Sequence, residues 1–309
     1  MDVSVIFATC NRDDILKNTL DSFTHLATRN FAWEVIVVDN AVRQQTKTLV
    51  NSYKDMLPIT YLTEATPGKN NALIKALPSA QGDLLVFTDD DIIAHPDWLE
   101  ELWSGAERYP AYDMFGGTIK PHYPDHPIDP RINLNHHFIN DAYVVTDTKL
   151  KEGEIRAGKI WGPNMAIRRK IIDSGINFNP NIGPNGQDYV MGSETEFLLR
   201  AAKAGHSSVF LPKAVVKHQI RQNQLSLEWL AGRAFRHGKG NAAVTNTDQA
   251  KQKILFGAPR FLYKKLLAHK LLMISSRLKT QHTQYFSHFV RYHFIRGQIH
   301  QSRIIAQQS

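Results

Sequence analysis

The chain has 309 residues, 42% of them hydrophobic, which is enough for a sizeable core in one large domain or two small ones. Its one cysteine, Cys10, excludes a disulfide framework within the chain and fits a reducing cytoplasm, and no apolar run reaches the roughly 18 residues of a membrane span. The net charge of +8 is uneven: eleven Lys or Arg and no acidic residue follow Asp248, so subtracting those eleven leaves residues 1–248 at −3.

MDVSVIFATC has neither a basic leader region nor a small-residue cleavage site, and reads as a first strand. DDILKNTLDSFTHL has helical spacing at Ile15, Leu16, Leu20 and Phe23. WEVIVVD is a strand without polar interruption, as expected when both faces are covered. Residues 42–54 read as a helix, ITYLT as a short strand, KNNALIKAL as a helix, DLLVFT as a fourth strand and PDWLEELWSGAERY as a helix opened by Pro96. This alternation predicts an α/β domain whose mostly parallel sheet is flanked by helices. Pro121, Pro124, Pro127 and Pro130 break any long element, so residues 116–160 read as a loop excursion over the sheet. Strand-like IWGPNMAI, a short helix from Arg169, a Gly/Pro/Asn-rich loop, the helix SETEFLLRAAKAG and the strands SSVFLP and AVVKH follow. From Ser226 the pattern is helical, with one apolar stripe at Tyr263, Leu267, Leu271, Ile274 and Leu278 and another at Phe286, Phe289, Val290 and His293.

The chemistry gathers at strand ends, where open parallel sheets bind ligands. Asn11 and Arg12 end the first strand, Asp39 the second, and Asp89, Asp90 and Asp91 the fourth. Adjacent carboxylates tolerate one another around a divalent cation, and Mg2+ or Mn2+ suits oxygen ligands. Alternation along extended chain sends Asp89 and Asp91 to one side as a D-x-D metal site, with Asp90 facing elsewhere. The competing reading is a solvated turn before Pro96. In TPGKNNAL, Lys69 at a helix start is a phosphate candidate, or an ordinary surface lysine. Cys10, with no motif around it, reads as a buried small residue.

VSVIFATCNR, EVIVVDN, PGKNNALIKALPSAQGDLLVFTDDD, WGPNMAIRRKII and GSETEFLLRAAKAGH follow in order, and together they resemble the family 2 glycosyltransferases, which have the GT-A fold. The resemblance covers roughly residues 2–220 and implies a GT-A catalytic domain over 1–220, with a nucleotide-binding half at 1–110 and an acceptor half at 111–220, followed by a basic amphipathic helical extension at 221–309. It also implies a nucleotide-sugar donor, most commonly with UDP among relatives, a Mg2+ or Mn2+ cofactor and inversion at the anomeric carbon. By the same resemblance, Ala8, Thr9, Asn11, Arg12 and Asp39 hold base and ribose. Asp89, Asp90 and Asp91 hold ribose and metal-diphosphate, Lys69 sits near the nucleotide or its phosphates, Asn164 lines the sugar pocket, and His218 faces the metal. The chain departs from the family at Ala8-Thr9-Cys10-Asn11 and at Ser193-Glu194, which moves the base position onto Glu194. Ser193 and Glu196 have capping-box spacing, which gives Glu196 a structural task and leaves Glu194, in the first helical turn, as the preferred general base, with Asp188 third.

The expected function is therefore metal-dependent glycosyl transfer to a glycan or lipid-linked acceptor in surface polysaccharide or lipopolysaccharide synthesis, in the cytoplasm. The alternatives are a non-catalytic nucleotide-sugar-binding homologue and a sugar nucleotidyltransferase, although ATCNR is not the Gly-rich loop the latter needs. The basic stripes of residues 255–300 are expected to pack first and to touch an anionic membrane second. No nucleic-acid recognition module is visible.

Overall fold

The computed structural model describes residues 1–183, 192–245 and 253–308. The chain divides into two compact units, Met1–His122 with Val144–Gln219, and Tyr123–Tyr143 with Ile220–Ser309. The proline-rich stretch after His122 thus belongs with the C-terminal helices.

The first unit begins with β1 (Val3–Thr9), α1 (Asp13–Phe23), β2 (Trp33–Asp39), α2 (Gln44–Asn51), β3 (Ile59–Thr63) and α3 (Lys69–Ala76). It continues with β4 (Leu84–Phe87), β5 (Ile92–Ala94), α4 (Trp98–Arg108) and β6 (Met114–His122). After α5 (His137–Tyr143) come β7 (Gly153–Glu154), β8 (Met165–Arg168), α6 (Lys170–Asp173), α7 (Ser193–Lys203) and β9 (Ser208–Gln219). One sheet runs β3-β2-β1-β4-β8-β6-β9-β5, with β7 beside β9. It is mixed: β3, β2, β1 and β4 are parallel, β8 runs antiparallel to both β4 and β6, β6 and β9 are parallel, and β5 is antiparallel to β9.

Strand alternation builds two cores. Val3, Val5, Phe7, Val35, Val37 and Val86 face one side with Leu16, Leu20 and Phe23 of α1 and Leu99 and Leu102 of α4. Ile6, Ile36, Val38, Leu85 and Phe87 face the other, with Leu73 of α3 and Phe197 and Leu198 of α7. Successive strand residues point to opposite faces, so uninterrupted apolar strands have to be covered on both.

The strands SSVFLP and AVVKH are one strand. Its register on β6 shifts, with Leu211 opposite Gly117 and Val215 opposite Thr118, because Pro212 has no N–H to give the ladder. Pro121 sits near the end of β6, beyond the residues that pair with β8 and opposite His218 of β9. The helix expected from Pro96 starts at Trp98, whose N–H bonds the His95 carbonyl in a turn.

The second unit holds α5, α8 (Leu227–Thr245), the hairpin β10 (Ile254–Leu255) and β11 (Ala258–Pro259), α9 (Arg260–Leu278) and α10 (His282–Gln308). Helices α8 and α10 cross at two glycines. A Cβ on Gly238 would lie 2.0 Å from the Phe294 carbonyl oxygen, and one on Gly297 2.0 Å from that of Phe235. Of the two expected stripes one packs: Phe286, Phe289 and Val290 are buried. Of the other, Tyr263 is half-buried against the cluster around Leu262, while Leu267, Leu271, Ile274 and Leu278 are exposed, because α9 turns Leu262 and Leu266 toward Ile295 and Ile299 of α10 instead.

Burial lowers the pKa of four imidazoles in this unit, His136, His237, His269 and His293, and carries that of His293, beside Arg296, down to about 4. A lowered folded pKa means that the unfolded chain takes up protons first. Stability is therefore full above about 6.5 and is lost as pH falls from there toward about 4. In thermal unfolding from pH 7.5 to 5, His293→Phe is expected to lose less stability than wild type. Parallel curves would show that His293 does not titrate differently in the fold.

Candidate active site

The three carboxylates stand on the link between β4 and β5. The backbone there is fastened from two sides: the Thr19 hydroxyl donates to the carbonyls of Asp90 and Ile92, at 2.8 Å each, and the Gln219 N–H to that of Asp91 at 2.7 Å. Asp90 and Asp91 lie in a turn, so the alternation of extended chain does not apply to them and the D-x-D pairing expected of Asp89 with Asp91 is not the one formed. Asp90 does not face elsewhere. It shares Arg12 Nη1 with Asp91, at 3.1 and 3.0 Å, and accepts the Thr9 hydroxyl at 2.7 Å. Asp91 also reaches His218 Nε2 at 3.2 Å, while Asp89 turns to Lys69. Burial pushes the Asp90 carboxyl up to about 6 against the opposing pull of Arg12.

Lys69 is the second cation of the site. Its ammonium donates to Asp89 and, at 2.5 Å, to Glu194 Oε1. Burial works to lower its pKa, and the two carboxylates outweigh burial and raise it, so the ammonium stays charged. The neighbouring residues make a parallel cross-link. The Ser193 hydroxyl donates to Asn70 Oδ1 at 2.7 Å, and Asn70 Nδ2 donates to the carbonyls of Asn179 and Ile182 at 2.6 and 2.9 Å. Thus α3 and α7 meet at their first turns through two adjacent pairs, Lys69–Glu194 and Asn70–Ser193. Gly162 clears the space beside them: a Cβ there would lie 2.6 Å from Glu194 Oε1.

The capping box does not form; Gly192 precedes α7 in a left-handed conformation, Ser193 serves Asn70, and Glu196 pairs with Arg200 at 2.5 and 2.9 Å. Glu196 still has a structural task, by this other route. Glu194, the preferred general base, has a structural partner as well, Lys69. Asn164 does not present its amide to a sugar. It is fully buried, taking the Trp98 indole N–H at 2.9 Å and donating to the carbonyls of Thr118 and Ala214 at 3.0 and 2.8 Å. Asp39 is fully buried too, accepting the amides of Ala41 and Arg43 and the Tyr61 hydroxyl, and so shapes the loop after β2. Cys10 is exposed, not buried, and Asn11 beside it, also exposed, takes a left-handed φ of 56°. Ala8 is half-buried at the end of β1. Asp188 lies outside the described residues. Asn70, Thr19 and Gly162 were missed because their roles depend on partners distant in sequence; no local pattern marks them.

Among the described residues no group of three or more His, Cys, Asp or Glu side chains is placed to hold a divalent cation. Asp91 Oδ1 and His218 Nε2 nevertheless stand 3.2 Å apart, close to the roughly 3 Å between neighbouring ligands that each lie about 2.1 Å from one ion. A carboxylate and an imidazole at that separation fit Mn2+ or Mg2+, with the remaining positions left to phosphate or water oxygens.

The family model described as Glycosyl transferase family 2 matches residues 4–175. The chain belongs to this family. The matched span runs from β1 through α6 and includes the acidic turn and Lys69; Glu194 and His218 lie beyond it. Among curated relatives of this family 2 chain, the succinoglycan biosynthesis protein ExoM of Rhizobium meliloti is 31% identical over 66% of the chain, which spans 62% of that protein's length. The glucosyl-dolichyl phosphate glucuronosyltransferase of Haloferax volcanii is 22% identical over 77% of the chain and 75% of its own length. Among solved structures, the mannosyltransferase PcManGT from Pyrobaculum calidifontis, in complex with GDP-Man and Mn2+, is similar with a TM-score of 0.62 at 17% identity, over 97% of this chain and 86% of that one. TarS 1-349 of S. aureus, in complex with UDP-GlcNAc, gives 0.57 at 15% identity, over 100% and 93%. The likenesses show the GT-A fold.

Because Asn70 is buried and satisfies three groups, Asn70→Ala is expected to lower unfolding stability by about 2–3 kcal/mol, the cost of leaving buried polar groups unpaired. Gly162→Ala is expected to cost about 1–3 kcal/mol by overpacking against Glu194. Denaturant midpoints at constant slope check both; wild-type values would mean the contacts carry no stability.

Proposed function

We propose that the chain is an inverting, metal-dependent glycosyltransferase that moves a sugar from a nucleotide-sugar onto a hydroxyl of a glycan or lipid-linked acceptor, in the cytoplasmic assembly of a polysaccharide. The observation that carries this reading is the placement of Glu194 against Lys69, which ties a carboxylate on a helix N-terminus to the acidic turn through one ammonium. The names of ExoM and of the dolichyl phosphate enzyme support the acceptor class.

In the proposed reaction the acceptor oxygen bonds to the anomeric carbon as the bond from that carbon to the donor diphosphate breaks. The acceptor proton passes to Glu194, whose ionised form the N-terminus of α7 favours. Lys69 and Arg12 offer positive charge to the departing diphosphate, and both have a pKa raised by their carboxylate neighbours against the effect of burial. Asp91 and His218 would hold Mn2+ or Mg2+, which when bound supplies a Lewis acid for the leaving group. Inversion needs no covalent nucleophile.

Two measurements test this. UDP, GDP, CMP and TDP, each with and without Mn2+, are expected to give one nucleotide that raises the melting temperature only with the metal, by mass action, and Asp91→Ala is expected to abolish that shift. Glu194→Gln is expected to keep the shift and lose turnover by about 10²–10⁴-fold. Binding without turnover in the wild-type chain would instead identify a non-catalytic homologue.

A further inference from the structure

Helix α9 has two apolar faces, and only one of them is used. Leu262 is buried and Leu266 packs beside it, against Ile295 and Ile299 of α10. On the opposite side Leu267, Leu271, Ile274 and Leu278 recur at intervals of four, three and four residues, which lines them along one outward seam. They are 59%, 59%, 46% and 81% exposed. At the N-terminal end of the seam the Phe256 ring, 76% exposed, stands beside Tyr263. Scattered exposed leucines need no explanation, but an aligned row of four does.

The charges around the seam identify what covers it. Lys264, Lys265, Lys270 and Arg277 are exposed on the same helix, and no acidic residue occurs anywhere in 249–309. A second copy pairing along this seam would set lysine against lysine with no carboxylate on either helix to relieve them. A surface of anionic lipid answers both features at once: acyl chains take the leucines and headgroups take the ammonium groups, while the long basic side chains reach outward to the polar layer. Among the described residues no helix is long and apolar enough to cross a membrane, so α9 would lie along the surface.

We propose that α9 docks the protein onto the face of an anionic bilayer, with Leu267, Leu271, Ile274 and Leu278 inserted among the lipids and the flanking lysines on the headgroups. The inference does not depend on the chemistry assigned to Glu194 or Asp91. It is tested by floating the full chain with vesicles of phosphatidylcholine alone and of phosphatidylcholine mixed with phosphatidylglycerol. Partition onto the mixed vesicles is expected to exceed that onto the neutral ones by about tenfold or more and to fall as salt is raised. Leu271→Asp and, separately, Lys270→Glu are each expected to reduce it several-fold with an unchanged melting temperature, since both side chains are exposed. Absence of binding to mixed vesicles overturns the proposal, as does binding that Leu271→Asp leaves intact. A wild-type dimer that Leu271→Asp dissolves would also overturn it, by assigning the seam to a second copy.

Discussion

Like charges at the end of a buried strand repel, and the first unit is arranged around the relief of that repulsion. Asp89, Asp90 and Asp91 are consecutive, Asp90 is 2% exposed, and desolvation alone would drive such a group to its neutral form. Two cations come to them from different parts of the chain. Arg12, just past β1, spans Asp90 and Asp91; Lys69, at the start of α3, spans Asp89 and reaches on to Glu194. The acidic turn thus fixes the loop after β1, the first turn of α3 and the first turn of α7.

The supporting residues are polar and buried. Thr19 and Gln219 clamp the turn's carbonyls, Asn70 joins Ser193 to the 179–182 loop, Asn164 links α4 to β6 and β9, and Asp39 holds the loop after β2. Each satisfies backbone groups that would otherwise be buried without partners, which costs more than a typical hydrogen bond gains. Asn164 and Asp39, at motif positions suited to ligand contact, thus also serve the frame around the site. Their type and place in sequence do not reveal this framing task, which only the hydrogen bonds show.

The C-terminal unit shows the same division between pattern and partner. Both apolar stripes were legible from their spacing, because helical periodicity is a local property. Which stripe would be covered was not, because that depends on the neighbour each helix finds. The contact of α8 with α10 through Gly238 and Gly297 brings backbone against backbone, and α9 then meets α10 through Leu262 and leaves its other face outward.

By itself the sequence determined the alternation of strands and helices from β1 through β4, the doubly covered character of the sheet, the strand ends that carry the chemistry, the family, and the separation of an acidic body from a basic tail; β5 and β6 were not among the strands it marked. These rest on short-range periodicity and on residue type. Tertiary structure decided the partners: that Asp89 parts from Asp91, that Glu194 meets Lys69 from 125 residues away, and that Glu196 turns to Arg200. It also decided that β8 reverses the sheet, that one stripe of the tail is buried and that the other is bare. Charge pairing, close packing and hydrogen bonding over such separations are settled only when the folded chain brings the groups together, so no local pattern records them in advance.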